Sequence, residues 1–211
     1  MGTVDTIPSR TSGESVVITL GNIMKQFFSS LLPAALLTCF CLFLWPLHSH
    51  AKSDIAWLHE IRAGLLDHDT NNLWSGSSYE GGIDANAEII FTPAYGLWQG
   101  HIRPNAGFSI NSKGDTSKIY AGGVWQYLWK NGCILDIGAG LALHDGETGN
   151  PEAVARKELG SRVLLHFSLE LGYSLSAHSR LFLMFDHISN GYTADPNEGL
   201  DTLGIRYGYL F

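Results

Sequence analysis

From residue 52 to the C-terminal Phe211 the chain changes polarity at every second position, and no stretch carries apolar residues at sustained helical spacing. Alternate residues of a strand point to opposite faces. The pattern therefore predicts about eight strands of roughly ten residues, separated by clusters of Gly, Asn, Asp and Pro. They fall at 55–66, 83–93, 98–111, 117–130, 133–144, 159–175, 179–189 and 201–211. One face is apolar or small throughout: Ile83, Ala85, Ala87, Ile89 and Phe91 in the second strand, Ile119 through Trp129 at odd positions in the fourth, and Val163 through Leu171 at odd positions in the sixth. The other face carries Glu60, Arg62, Asp84, Asn86, Glu88, Gln126, Asp136, His166, Glu170, Asp186 and Arg206.

Such alternation suits either a sheet with one wet face or a barrel in lipid, and the connections decide between them. Asn131-Gly132 is a tight-hairpin signal, and 93–96 and 174–178 are also short, whereas 67–82, 144–158 and 190–200 are long. Short turns at one end and long loops at the other are the pattern of bacterial outer-membrane barrels. Leu203, Ile205, Tyr207, Tyr209 and Phe211 resemble the terminal strand by which such barrels are assembled. Trp125, Tyr127 and Trp129 fit an interfacial aromatic girdle. The predicted fold is all-β: an eight-stranded antiparallel transmembrane β-barrel of the outer membrane, narrow enough for side chains to fill, with the charged face paired inside as a polar plug. A soluble barrel of the lipocalin kind would need its apolar face inside, which the charged alternate face opposes. Pro104 lacks a ladder donor and predicts a bulge or break in the third strand.

The N-terminal part differs. Residues 1–23 are polar and mixed; Met24-Lys-Gln is followed by an almost uncharged run from Phe27 to Leu47 and then His-Ser-His-Ala at 48–51. This order of basic, apolar and small residues predicts a start at Met24 and a signal peptide cut after Ala51, leaving 52–211 as the barrel. The competing reading is a membrane anchor, because the run is about the ~20 residues a spanning helix needs. Leu36-Leu-Thr-Cys39 is a poor lipoprotein signal, since threonine precedes the cysteine. A net charge of −7 argues against nucleic acid as a partner. Of three cysteines, Cys39 and Cys41 lie in the predicted leader, so Cys133 stands alone without a disulfide framework or a Cys-based metal site.

Candidate chemistry gathers at the end of the chain. His187, Ser189 and Asp201 share the parity of the apolar ladder. Serine hydrolysis needs a base for the hydroxyl proton, a group that holds the base, and donors for the oxyanion. His187 and Ser189 lie about 7 Å apart along one strand face, and Asp201 opens the following strand. Asn190 and Gly191 offer oxyanion donors. A catalytic group on a greasy face makes sense when the substrate is itself a lipid. The remaining histidines, His59, His68, His101, His144, His166 and His178, show no ligand spacing that suggests a metal. Asp67, Asp69, Glu80, Asp145 and Glu147 read as solvated loop charges, with divalent-cation binding as the alternative. No cofactor or metal is expected.

The stretch His187-Ile-Ser-Asn-Gly191, followed by Asp195-Pro-Asn-Glu-Gly-Leu-Asp201 and the aromatic terminal strand, resembles the active-site signature of the lipid A 3-O-deacylase family of outer-membrane enzymes. Glu158-Leu-Gly-Ser-Arg162 through Glu170-Leu-Gly-Tyr173 resembles that family's sixth strand. The likeness covers most of 55–211, and its specific part is these two segments. It implies an eight-stranded barrel whose serine hydrolase site faces the outer leaflet and removes the 3-position acyl chain of lipid A in lipopolysaccharide. Ser189 would be the nucleophile, His187 the base, Asp201 the orienting acid, and Asn190 close to the oxyanion. The chain departs from the family at Asp201, where glutamate is more usual, which makes Glu198 a second candidate for the acid. The competing function is a non-catalytic small outer-membrane barrel, structural or adhesive, with a decayed site.

Overall fold

Backbone groups in hydrocarbon must pair within the protein, and a sheet achieves this only by closing on itself. The alternating segments do so. The structure, a computed structural model, describes residues 56–76, 79–149 and 156–211. Its strands are β1 (Leu58–His68), β2 (Ile83–Phe91), β3 (Tyr95–Leu97), β4 (Gly100–Asn111), β5 (Lys118–Leu128), β6 (Cys133–His144), β7 (Val163–Ser174), β8 (Ser179–Ser189) and β9 (Leu200–Leu210). Antiparallel neighbours run β2-β1-β9-β8-β7-β6-β5-β4, and a β2–β4 pairing closes the ring. The three-residue β3 folds back on β4 alone, so eight strands make the barrel. The segment read as extension and signal peptide lies outside the described residues.

The faces are those the alternation predicts. Leu65, Leu141, Leu165, Leu171, Leu183 and Ile205 are each at least half exposed, whereas Glu60, Arg62 and Arg206 are fully buried. Apolar outside and charged inside is the inverse of a soluble protein and fits a lipid surround; it removes the lipocalin-like alternative. Buried charges are tolerable only when paired. Arg62 donates to Glu60 (3.0 Å), Glu170 (2.8 Å) and Asp136 (2.6 Å), and lies over the Phe182 ring. Arg206 donates to Glu170, Glu88 (3.2 Å) and Asn86 (2.9 Å). Nearer the long loops Asp186 bridges Lys118 and His166. Above it an apolar cluster of Tyr120, Ala142, Leu159, Leu164, Ile188 and Leu200 fills the barrel.

Three expectations are corrected. Pro104 causes neither bulge nor break: the β4–β5 register runs unbroken through Pro104↔Gly123. On its other side pairing with β2 ends at Asn105 and pairing with β3 begins at Ile102, so Pro104 occupies the gap between two partners, where no ladder donor is needed. The short turn falls at Trp98 and Gln99, both at positive φ (46° and 66°), rather than at 93–96. That backbone suits a two-residue hairpin loop, and it creates β3. Residues 159–162 precede β7 instead of opening it; Leu159 turns inward and is completely buried.

The loop charges are also more ordered than solvated. Asp69, Glu80 and Asp145 are buried. Asp69 accepts from the backbone N–H of Tyr79 (2.6 Å) and Glu80 (2.9 Å), and Asp145 from that of Ser117 (2.7 Å). Glu80 meets His68 (2.9 Å) and accepts from Thr116 through both backbone and hydroxyl (3.0 Å each), tying the 69–82 and 112–117 loops together. Burial alone would raise the Glu80 carboxyl, but the hydrogen bonds from His68 and Thr116 outweigh it and hold it below its ordinary range. A depressed carboxyl stabilises the fold above its unfolded pKa, and the contribution disappears as pH falls through the folded value. Amide protection factors at 79–84 and 112–117, which correct for the pH dependence of intrinsic exchange, are accordingly expected to stay high at neutral pH and to fall only below the usual carboxylate range. Protection factors that are already low at neutral pH would show that this tie does not hold the loops.

Candidate active site

Antiparallel pairing of β8 with β9 sets His187 directly opposite Asp201. Directly opposed residues on one face bring their Cβ atoms within about 4.5–5.5 Å, a span that a short carboxylate bridges. His187 Nδ1 lies 2.6 Å from Asp201 Oδ1, and His187 Nε2 lies 3.0 Å from Ser189 Oγ. The imidazole thus joins an acid on one nitrogen and a hydroxyl on the other. All three side chains stand on the outward face, at the barrel end that carries the long loops. Such an arrangement can pass the serine proton to the imidazole while the carboxylate keeps the ring in one tautomer.

The other named residues go elsewhere. Glu198 accepts from the backbone N–H of Glu158 (2.7 Å) and its own N–H donates to Glu158 O (3.2 Å), which clamps two loops together; its carboxylate is not on His187. Asn190 is buried, its amide donating to Leu159 O (3.1 Å) and Pro196 O (2.8 Å) and its backbone N–H to Asn197 Oδ1 (3.1 Å). Its donors are therefore engaged in holding the 190–199 loop. The N–H of Gly191, at φ 61°, has no hydrogen-bond partner among the described residues. A side chain there would press on Leu165, the residue opposite Ser189 across β7.

Although outward-facing, His187 is only 6% exposed and Asp201 is fully buried. The 69–76 stretch of the first long loop covers them. Ser75 N–H donates to Asp201 Oδ2 (2.6 Å), and Thr70 N–H donates to Asp201 O (2.9 Å). The Trp74 indole stacks on the His187 ring with centroids 4.3 Å apart and planes 11° apart, and meets Phe167 edge-on at 5.6 Å. Gly199 leaves the space this needs, since a Cβ there would lie 2.7 Å from His187 Cε1. Sequence reasoning missed Trp74, Ser75 and Gly199: more than a hundred residues separate Ser75 from Asp201, and no local pattern links them. The available hint was a tryptophan at the tip of a polar loop.

Residues 65–210, well over half of the 211-residue chain, match the family model of lipid A 3-O-deacylase (PagL). A stretch of 96 residues is 30% identical to the lipid A deacylase PagL of Bordetella bronchiseptica, covering 43% of this chain and 52% of that one. The match thus spans about half the length of that relative. The crystal structure of the outer membrane enzyme PagL superposes with a TM-score of 0.52 at 14% identity, covering 72% of this chain and 99% of that one. At that identity the likeness establishes the fold. With the family model matched from within β1 to the last residue of β9, the chain belongs to the lipid A 3-O-deacylase (PagL) family.

Proposed function

We propose that the chain is an outer-membrane serine esterase that hydrolyses the 3-O-linked acyl ester of lipid A in the outer leaflet. The observation that carries this reading is the imidazole of His187, bonded to Asp201 on one nitrogen and to Ser189 on the other. In the first step His187 Nε2 takes the Ser189 proton as Oγ attacks the ester carbonyl, and Asp201 offsets the charge on the ring. Collapse expels the sugar 3-oxygen, which receives that proton from His187, and leaves an acyl-serine. Water then attacks the acyl-serine as it gives up a proton to His187, and collapse releases the fatty acid while that proton returns from His187 Nε2 to Ser189 Oγ. The N–H of Gly191 is the donor nearest in sequence that remains uncommitted for the oxyanion. The step draws on no metal or cofactor. β1 begins and β9 ends at the short-turn end, where Phe211 N–H donates to His59 O. With that end on the periplasmic side, the long-loop end and its site lie level with lipopolysaccharide.

Mass spectrometry of lipid A from cells with and without the protein tests the reading. The expected result is a loss equal to one hydroxyacyl chain at the 3-position. Unchanged lipid A, alongside a barrel that inserts and migrates differently before and after boiling, would favour the non-catalytic barrel instead.

A further inference from the structure

The bond to Cβ and the in-plane hydrogen bonds at Nδ1 and Nε2 orient the His187 imidazole and leave its two faces to be covered by other groups. The flat contact on one face is the indole of Trp74, 4.3 Å away and within 11° of parallel. Trp74 is itself held at its edge by Phe167, which pairs with His187 across β7 and β8. The next residue, Ser75, gives its N–H to Asp201. One loop thus touches both the acid and the base. Trp74 remains 65% exposed, an unusual position for a large apolar side chain unless its place is the membrane interface.

We propose that Trp74 is a positioning residue of the hydrolytic site: its indole packs flat on the His187 ring, limits the rocking of that ring within its two hydrogen bonds, and stabilises the positive charge the ring carries after taking the Ser189 proton. This rests on the deacylase reading above. The charge argument follows from the negative face of an indole, the best of the aromatic partners for a cation. When the proton moves from Ser189 Oγ to His187 Nε2, the resulting imidazolium lies between the Asp201 carboxylate at its edge and the Trp74 face above it. Among the described residues the other groups around His187 are uncharged: Ser189 on its Nε2, Phe167 opposite it on β7, Gly199 beside its Cε1, and Ser75, whose N–H is on Asp201. Asp201 is the titratable group these residues bring to the ring.

The test compares purified wild-type protein, Trp74→Leu and Trp74→Phe in detergent micelles with lipid A as substrate, following kcat and KM from about pH 5 to about pH 9. Trp74→Leu is expected to lower kcat about tenfold with KM changed less than about twofold, and to move the acid limb of the profile to lower pH, because the imidazolium loses its support. Trp74→Phe restores most of both. In parallel, NMR of the His187 ring protons reads the stack without turnover: an upfield shift from the indole is present in wild type and absent in Trp74→Leu. An unchanged kcat and acid limb in Trp74→Leu would overturn the proposal, as would a loss confined to KM or a wild-type ring without the upfield shift. If wild type leaves lipid A intact while the ring shift is present, the deacylase reading fails and the stack stands as a packing contact only. A Trp74→Leu chain that does not fold leaves the decision to Trp74→Phe and the wild-type ring shift.

Discussion

Ser189→Ala is expected to leave the barrel folded and to abolish deacylation, with a rate loss of about 10⁴-fold or more. The barrel should survive because Ser189 ends β8 and its hydroxyl makes one side-chain bond, to His187 Nε2 at 3.0 Å. No ladder or interior ion pair depends on it. The loss should be large because the proposed mechanism makes this hydroxyl the nucleophile, and no other hydroxyl lies on the imidazole among the described residues. The measurement is the rate of lipid A mass change by purified variant and wild type, with heat-modifiable migration as the check on folding. A variant that retained a tenth of the wild-type rate would place the nucleophile elsewhere.

Arg206→Met should have the largest effect on stability. Arg206 is completely buried and donates to Glu170, Glu88 and Asn86. Removing one partner of a buried ionic network leaves uncompensated carboxylates, at a cost of about 3–5 kcal/mol. Glu170 retains Arg62 at 2.8 Å, whereas Glu88 keeps only neutral donors, the Tyr120 hydroxyl (3.0 Å) and the Asn105 amide (3.2 Å). The penalty therefore falls mainly on Glu88, and adding Glu88→Gln should recover part of it. Denaturant unfolding of the detergent-solubilised barrel measures both. A single-variant loss below about 1 kcal/mol would mean that water reaches the network and screens it.

The two expected effects separate fold from the proposed chemistry: Ser189 stands on the outer side of the barrel wall and Arg206 inside it. A strand permits this because neighbouring residues belong to different environments. Asp186 and His187 are adjacent in sequence, yet Asp186 pairs with Lys118 and His166 in the interior while His187 faces outward.

Much of this was legible from the residues themselves. Alternation is local, and the odd positions of β5 to β9 face outward as their polarity requires. The tight turn at Asn131-Gly132 was legible for the same reason, Gly132 standing at φ 90°. Pro104 misled because its meaning depends on where β2 stops, which lies outside its own segment. Asp69 and Glu80 misled because burial of a loop charge depends on other loops folding over it.

The all-β barrel, the outward and interior faces of each strand, and the His187, Ser189 and Asp201 candidates were readable in the residues alone. They follow from period-two polarity and short spacing, which are written into consecutive residues. It took the folded chain to put Asp201 rather than Glu198 on His187, to engage Asn190 in its own loop, and to lay Trp74 and Ser75 over the site. Those outcomes depend on the β8–β9 register and on a loop more than a hundred residues away in the chain. Closing the barrel brings that loop to the site, since β1 pairs with β9 and delivers it to the mouth where Asp201 begins.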